Sequence, residues 1–554
     1  MLVPSFPILA APRTLVLVVA LAGLSALGSA TACAPHAAGP RPLRLAELQD
    51  PPGLDPLVTD NAQLQDMAEL LHGYLLSADA SGSFTPDLAR EIPSLRNGGI
   101  AHDGRTIVYR LRHNVRWQDG VPFDARDVVF SFEAAMNPRN NVPDRSGFDD
   151  VASVRAHGPY DVVVRLRKPY SPALATFFSA GANDPYPILP AHILAHERQL
   201  NTVAYNEHPV GLGPYRLVSW TRGSRLVLAA DPHFRRGQPR IARIDVTIVP
   251  DSNTEVTLWQ SGDLDYLNVR GLAGGRGMLE GARSVRDAQR FLPDHYQFNY
   301  VMFNVSHGPL RERAVREAIV HGIDRDRIER TVRGDLYRPG SGDRLPGQFA
   351  YDPALRQATY DPVAANQLLD GAGWRRVAGT RRQGGVPLTL DIVVPANSSG
   401  ADRFALQLQS QLSELGIRAP VKTYQYDLLF APAQEGGIYA SGRFDLAFYG
   451  WQPGEDADHS YLFRCDTRPP NGENYGRICD PLIDRNAALE ITATEPAVQM
   501  RADRAMLREL DAQSDLLFLG FDREALFAKH DLAGIQPSVL GRHFWNIERW
   551  SWKR

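Results

Sequence analysis

Two histidines four residues apart are the first place to look for chemistry. His192 and His196, with Glu197 beside the second, have a spacing that could bind a metal if the segment is helical. A zinc peptidase would need its glutamate between the histidines, and no third ligand can be singled out, so ordinary helix-surface histidines are the better reading. The acidic run Glu455-Asp456-Ala457-Asp458, followed by His459, offers alternating oxygen ligands. It lacks the glycine and distal glutamate of an EF-hand loop, and so reads as a solvated loop or as a recogniser of a cationic group on a ligand. No G-x-S-x-G elbow occurs. The four lysines (Lys168, Lys422, Lys529 and Lys553) never stand in a G-K-[ST] context, which excludes a P-loop nucleotide site. Cys33, Cys465 and Cys479 are too far apart for a C-x-x-C knuckle or redox pair. With no catalytic constellation, the expectation is a binding protein and not an enzyme, without metal or cofactor.

The elements that would position such groups alternate between strand and helix. The chain has 554 residues, 44% of them hydrophobic, enough for several domain-sized units with cores of their own. A net charge of −3 argues against the strongly basic face of a nucleic-acid binder. Thr106–Leu111 alternates like a half-buried strand, and Asp124-Ala125-Arg126-Asp127 opens an amphipathic run carrying Val128, Val129, Phe132 and Met136 on one helical face. Gly213-Pro214 precedes a strand at Tyr215–Trp220, and a turn at Thr221–Ser224 leads into Arg225–Ala229. Leu388–Val394 reads as a strand. Asp402–Leu415 reads as a helix ending at Gly416. The class is mixed α/β, without internal repeats.

The first 32 residues read as an address. Arg13 is the only charge before Arg41, an apolar stretch runs from Leu15 to Leu27, and small residues lead to Cys33. The segment resembles a bacterial lipoprotein signal, in which Cys33 would become the lipidated first residue. Ala30 stands where such signals usually carry leucine. An ordinary cleavage site, or Leu15–Ala34 retained as a membrane anchor, are the alternatives. Acyl chains contribute about 0.8 kcal/mol per buried methylene, so two would hold the protein at a membrane.

Ten blocks, in order, resemble the extracellular solute-binding proteins of family 5, the dipeptide- and oligopeptide-binding components of bacterial ABC importers. They are Leu54-Asp55-Pro56, Phe84–Ser94, the long Asp103–Pro138, Pro187–Leu194 (which accounts for His192 without a metal) and Gly211–Trp220. Asp263 and Asp265 in SGDLDY, Tyr300–Val305, Val315–Arg325, Tyr360–Trp374 and Arg443–Trp451 complete the series. The resemblance implies a two-lobed periplasmic-binding-protein fold, type II-like, with an additional domain inserted in the first lobe. By position, residues 1–32 would be the signal, 33–62 the tether and start of lobe one, 63–204 the inserted domain, 205–290 lobe one continued, 291–520 lobe two, and 521–554 the return to lobe one.

The resemblance also implies a function. Such a receptor closes a cleft over a peptide or related solute and delivers it to membrane permease subunits, as a monomer on the outer face of the cytoplasmic membrane or in the periplasm. In peptide-binding members an acid three positions after the tryptophan of the G-W block pairs with the ligand's ammonium group. Here that position is Gly454, so Glu455 or Asp456 would serve after a one-residue shift. Trp451 and Tyr449 would line the same wall, Phe303 and Asn304 would lie near the hinge, and Tyr74 would border the cleft from the inserted domain. Cys465 and Cys479 flank a stretch similar to one that is disulfide-bonded in some relatives. The alternatives are a secreted hydrolase using the 455–458 acids, or a receptor for a metal chelate, haem, opine or sugar.

Overall fold

The computed structural model describes residues 41–553, apart from 60–61, 144, 146, 182–184, 397–398 and 453–459. Cys33, Glu455 and Asp456 lie outside the described residues.

One sheet joins distant parts of the chain. Leu43–Glu47 pairs in parallel with Arg243–Ile248, which continues antiparallel to Arg225–Ala230 and Tyr215–Thr221. Its core draws on Leu43, Leu70, Leu228 and Val246, and also on Leu526, Phe544 and Trp550 from the end of the chain. A core made from three separated segments shows that the intervening stretches leave this body and return to it. The SGDLDY motif is what ties the first strand down. Asp265 is fully buried and accepts from Arg44 Nη2 at 2.7 Å and Nε at 3.0 Å, while Arg44 Nη2 also reaches the Gly262 carbonyl.

A separate three-stranded antiparallel sheet, ordered Thr106–Arg110, Asp161–Leu166, Val151–Ala156, holds the long resemblance block. Helix Ala125–Met136 packs beside it, its first turn closed by a capping box between Asp124 and Asp127. Phe132, Phe148, Phe177 and Phe178 meet edge to face in the core beneath.

The largest sheet runs Tyr266–Arg270, Leu516–Lys529, Asp294–Phe303, Leu446–Trp451, Ile392–Pro395, Val421–Tyr424. Residues alternate between its two faces. Val301, Phe303, Leu446 and Leu519 pack with Ile319, Leu408 and their helices on one side. Phe298, Tyr300, Tyr449 and Phe518 pack with Met506 and Leu510 on the other. Strand Leu516–Lys529 is the bridge. Its first half pairs with Asp294–Phe303 and its second half with Tyr266–Arg270 and Ala288–Phe291, so one strand passes between two cores. Gly520 sits at a register shift in this ladder with φ +128, where a Cβ would stand 2.5 Å from the Arg338 carbonyl. The expected border at 520/521 falls inside this continuous strand.

Most expected elements are present, with two adjustments. The strand expected at Leu388–Val394 is Ile392–Pro395, because Leu388 N–H bonds the Arg381 carbonyl and Leu390 N–H the Arg418 carbonyl, drawing that stretch to other partners. The helix expected at Asp402–Leu415 is Ser399–Glu414, and Gly416 ends it in the left-handed region at φ +82.

Candidate functional site

Strand Leu446–Trp451 puts Tyr449 and Trp451 on the same sheet face, since they are two residues apart. Across the ladder Tyr449 stands opposite Tyr300 and Trp451 opposite Phe298. Tyr449 is 4% exposed and donates its hydroxyl to Glu473 Oε2 at 2.5 Å. Burial, and then the Glu473 carboxylate, push the Tyr449 hydroxyl well above its usual range, so it stays protonated and can only donate to that acid. Burial followed by Glu473 also raises Tyr300 and Tyr475. This side of the sheet is therefore aromatic, with the Glu473 carboxylate bonded into it.

A stapled loop supplies that carboxylate. Cys465 and Cys479 are joined as a disulfide. Inside the loop the fully buried Asn474 gives its amide to the Arg464 and Ile478 carbonyls, both at 2.7 Å, and accepts from Ile478 N–H at 3.0 Å. The stretch NGENYGRI places Glu473 beside this buried asparagine. Nothing in its local pattern announced the bond to Tyr449, which depends on a strand 24 residues earlier.

Trp451 is half-buried. Its Nε1 is shielded from solvent and has no hydrogen-bond partner among the described residues, leaving an open donor beside Tyr461. Gln452 Nε2 donates to the Leu540 carbonyl at 3.3 Å, Tyr296 N–H to the Val539 carbonyl, and Val539 N–H to the Ala80 carbonyl. Four distant segments thus meet where strand Asp294–Phe303 begins.

Tyr74 lies on the other side of that junction. Its hydroxyl is buried without a partner among the described residues, and burial raises it above its usual range. It borders a cavity of ≈ 30 Å³ lined also by Glu69, His72, Asp87, Arg235 and Arg542, room for about one water. Burial alone would push the Asp87 carboxyl up, but Arg235 and Arg236 overcome this and hold it below its ordinary value. Arg235 grips Asp87 with two nitrogens, Nε at 2.9 Å, and Tyr74 N–H adds a third donor at 3.3 Å.

Other candidates have structural occupations. Phe303 faces the helical core on the side of the sheet away from Tyr449 and Trp451. Asn304 is 1% exposed, donating its amide to the Gly442 carbonyl and accepting at its oxygen from Ser306 N–H and Oγ. His192 pairs with Asp119 at 2.8 Å and His196 with Glu197 at 3.2 Å. Helix Ala191–Leu194 stops before His196, so the two rings do not share a helical face. Among the described residues Cys465, Cys479 and Asp484 come within 4.8 Å of one another, but cysteines joined to each other offer no thiolate to a metal.

Residues 83–472 match the sequence profile of the bacterial extracellular solute-binding proteins, family 5 Middle. The chain belongs to this family. Protein XP55 of Streptomyces lividans is 27% identical over 449 residues, 80% of this chain and 77% of the relative. The oligopeptide-binding protein AppA of Bacillus subtilis is 23% identical over 507 residues, 89% of this chain and 88% of the relative. AppA has been solved with a nonapeptide and superposes with a TM-score of 0.74 at 20% identity, covering 93% of this chain and 99% of its own. NikZ from Campylobacter jejuni, solved with Ni(L-His), superposes with a TM-score of 0.75 at 25% identity, covering 92% of this chain and 99% of its own. These likenesses establish the two-lobed α/β fold of this extracytoplasmic solute-binding family. Among the described residues no helix is long and apolar enough to cross a membrane.

Proposed function

We propose that this chain captures a peptide between two closing lobes and hands it, chemically unchanged, to a membrane permease of an ABC importer. The observation that supports the reading is the aromatic side of the largest sheet, where half-buried Trp451, with a shielded indole N–H that has no partner among the described residues, lies two residues from Tyr449 and its bonded Glu473 carboxylate. A peptide can be held by main-chain hydrogen bonds while its side chains rest against water and ring faces. Closure follows from the guest's extra contacts in the shut state. Glu455 or Asp456 would anchor the ammonium end, and Tyr74 would border the cleft opposite. Residues 63–204 form the inserted domain, and Cys33 carries the lipid that holds a monomeric receptor outside the cytoplasmic membrane.

A second reading, a non-peptide solute, is favoured by Gly454, which stands where peptide binders carry the acid. One experiment separates the two. Purified protein is heated with defined di- to nonapeptides, and the peptides are then recovered for mass spectrometry. A guest at 100 times its Kd stabilises the fold by about 2.7 kcal/mol, which reads as a raised Tm. The expected outcome is a raised Tm with intact peptide, and at least a tenfold weaker Kd for Trp451→Ala. If no peptide raises the Tm, the guest is another solute; if the peptide is cleaved, the protein is a hydrolase.

A further inference from the structure

Helix Pro481–Thr492 is finished differently at its two ends. Its start is capped from its own chain, Asp480 accepting the Leu482 and Ile483 N–H groups. At its end the Leu489 carbonyl takes Ala493 N–H, but the Glu490 and Ile491 carbonyls beyond it lie in the last turn, where a helix leaves carbonyls unpaired. Both are taken by a single residue more than 300 positions earlier. Ser171 N–H donates to the Ile491 carbonyl at 2.9 Å, and Ser171 Oγ to the Glu490 carbonyl at 2.7 Å. Ser171 follows the three-stranded sheet body directly, whereas the helix packs on the largest sheet through Ile483 and Ala487. Beside this junction Gly104, from the same three-stranded body, approaches Thr494 so closely that a Cβ would stand 2.4 Å from its methyl carbon.

The gripped residue is itself wired inward. The Glu490 carboxylate lies 3.6 Å from Arg344 Nη2, and Arg344 Nη1 donates to the Tyr296 hydroxyl at 2.6 Å. Tyr296 belongs to strand Asp294–Phe303, which pairs along the strand that passes between the two cores. Arg344 is also held by Asp503 at 2.8 Å, so this end of the helix is rigidly placed relative to the crossing strands.

We propose that Ser171 is a closure latch. Its N–H and hydroxyl engage the open carbonyl end of helix Pro481–Thr492 when the lobes shut and let go when they part. The inference rests on the closing-cleft reading of the fold. Serine suits the task because one side chain and its own backbone supply two donors to adjacent carbonyls, and both can be handed to water at small net cost on opening.

The test uses the full-length chain with Cys33→Ser and the native disulfide retained. The close approach of Gly104 leaves the two β-carbons about 4 Å apart in Gly104→Cys/Thr494→Cys, within the span of a disulfide. This pair should cross-link on adding copper–phenanthroline, and Ser171→Ala in the same background should slow the cross-linking about fivefold. Because a cysteine at the left-handed position 104 can disturb folding, amide exchange provides a second reading without it. In the otherwise wild-type chain the Ser171 amide should be protected, and Thr494→Trp should speed its exchange at least tenfold while amides in helix Ala125–Met136 stay as they were. An unprotected Ser171 amide, or a cross-linking rate indifferent to Ser171→Ala, overturns the latch alone. A radius of gyration identical in cross-linked and free protein, with no guest-dependent change, overturns lobe closure and the latch with it.

Discussion

The two walls that meet at the start of strand Asp294–Phe303 fix their side chains by opposite means. Around Tyr449 the grip is aromatic and covalent: tilted rings, a disulfide, and one carboxylate bonded by a tyrosine that cannot ionise in the ordinary range. Around Tyr74 it is ionic: Asp87 and Arg235 are both buried and hold each other beside a cavity with room for about one water. An aromatic wall loses little when a single ring shifts, because its energy is spread over many weak contacts. A buried ion pair fails abruptly when either partner is lost. The aromatic side is thus built for tolerance, and the ionic side is built for one arrangement.

The sharpest way to break that contrast is Arg235→Met. Removing the guanidinium leaves Asp87 buried with the Tyr74 N–H as its one hydrogen-bond donor among the described residues and Arg236 as its remaining counter-charge, so the loss should lie toward the lower end of the about 3–5 kcal/mol that breaking a buried ion pair costs. Urea denaturation of the variant should show a midpoint lowered accordingly. The double variant Asp87→Leu/Arg235→Met should recover most of the loss, since it leaves no charge stranded. Equal losses in the single and double variants would mean that packing of the arginine stem, not charge, holds this wall.

The matching cut on the aromatic side is Cys465→Ser/Cys479→Ser. Its effect should be somewhat smaller, because a loop closed over a separation of 14 residues contributes about 3 kcal/mol in the chain-entropy model. The Asn474 hydrogen bonds remain to hold the turn, so the variant should fold and keep Tyr449 against Glu473. Circular dichroism and urea midpoints would read the stability. A loss above that of Arg235→Met would place the staple, not the ion pair, as the stiffer element.

What could be read from the chain divides along the same line. Periodicity located helix Ala125–Met136 and the Tyr215/Arg225 hairpin within a residue or two, because their patterns are local. The motif Leu54-Asp55-Pro56 and the SGDLDY acids pointed to a family, but their physical roles (the Leu54 carbonyl taking His72, and Asp265 taking Arg44) needed partners up to 221 residues away. Phe303 illustrates the limit. The resemblance places it near the hinge, but which sheet face it takes depends on parity within a ten-residue strand whose ladder carries register shifts. Glu473 escapes the local pattern for a related reason. Its partner is a tyrosine on another strand, and spacing along the chain carries no trace of such a meeting.

The smallest effect concerns charge at the first of those motifs. Asp55 is fully buried with one oxygen bonded to Leu57 N–H, and burial pushes its carboxyl from an ordinary 3.8 up to about 7. The fold therefore prefers Asp55 protonated, and ionisation removes stability as pH rises from near 4 until the loss is complete above about 7. His72 runs the other way. Burial lowers it from 6.5 to about 4, the neutral ring bonding the Leu54 carbonyl at 2.7 Å, so stability is lost as pH falls from 6.5 toward 4. Between those limits the two contributions oppose each other and the wild-type chain should show a shallow pH dependence. Asp55→Asn keeps an oxygen for Leu57 but cannot ionise, which leaves the His72 contribution uncovered. Its urea stability should then climb with pH from 4.5 to 6.5 more steeply than the parent, by up to about 1.4 kcal/mol per pH unit. Parallel slopes for variant and parent would mean that Asp55 is already ionised in the folded protein, and that this ionic-side junction tolerates an unpaired charge better than its burial implies.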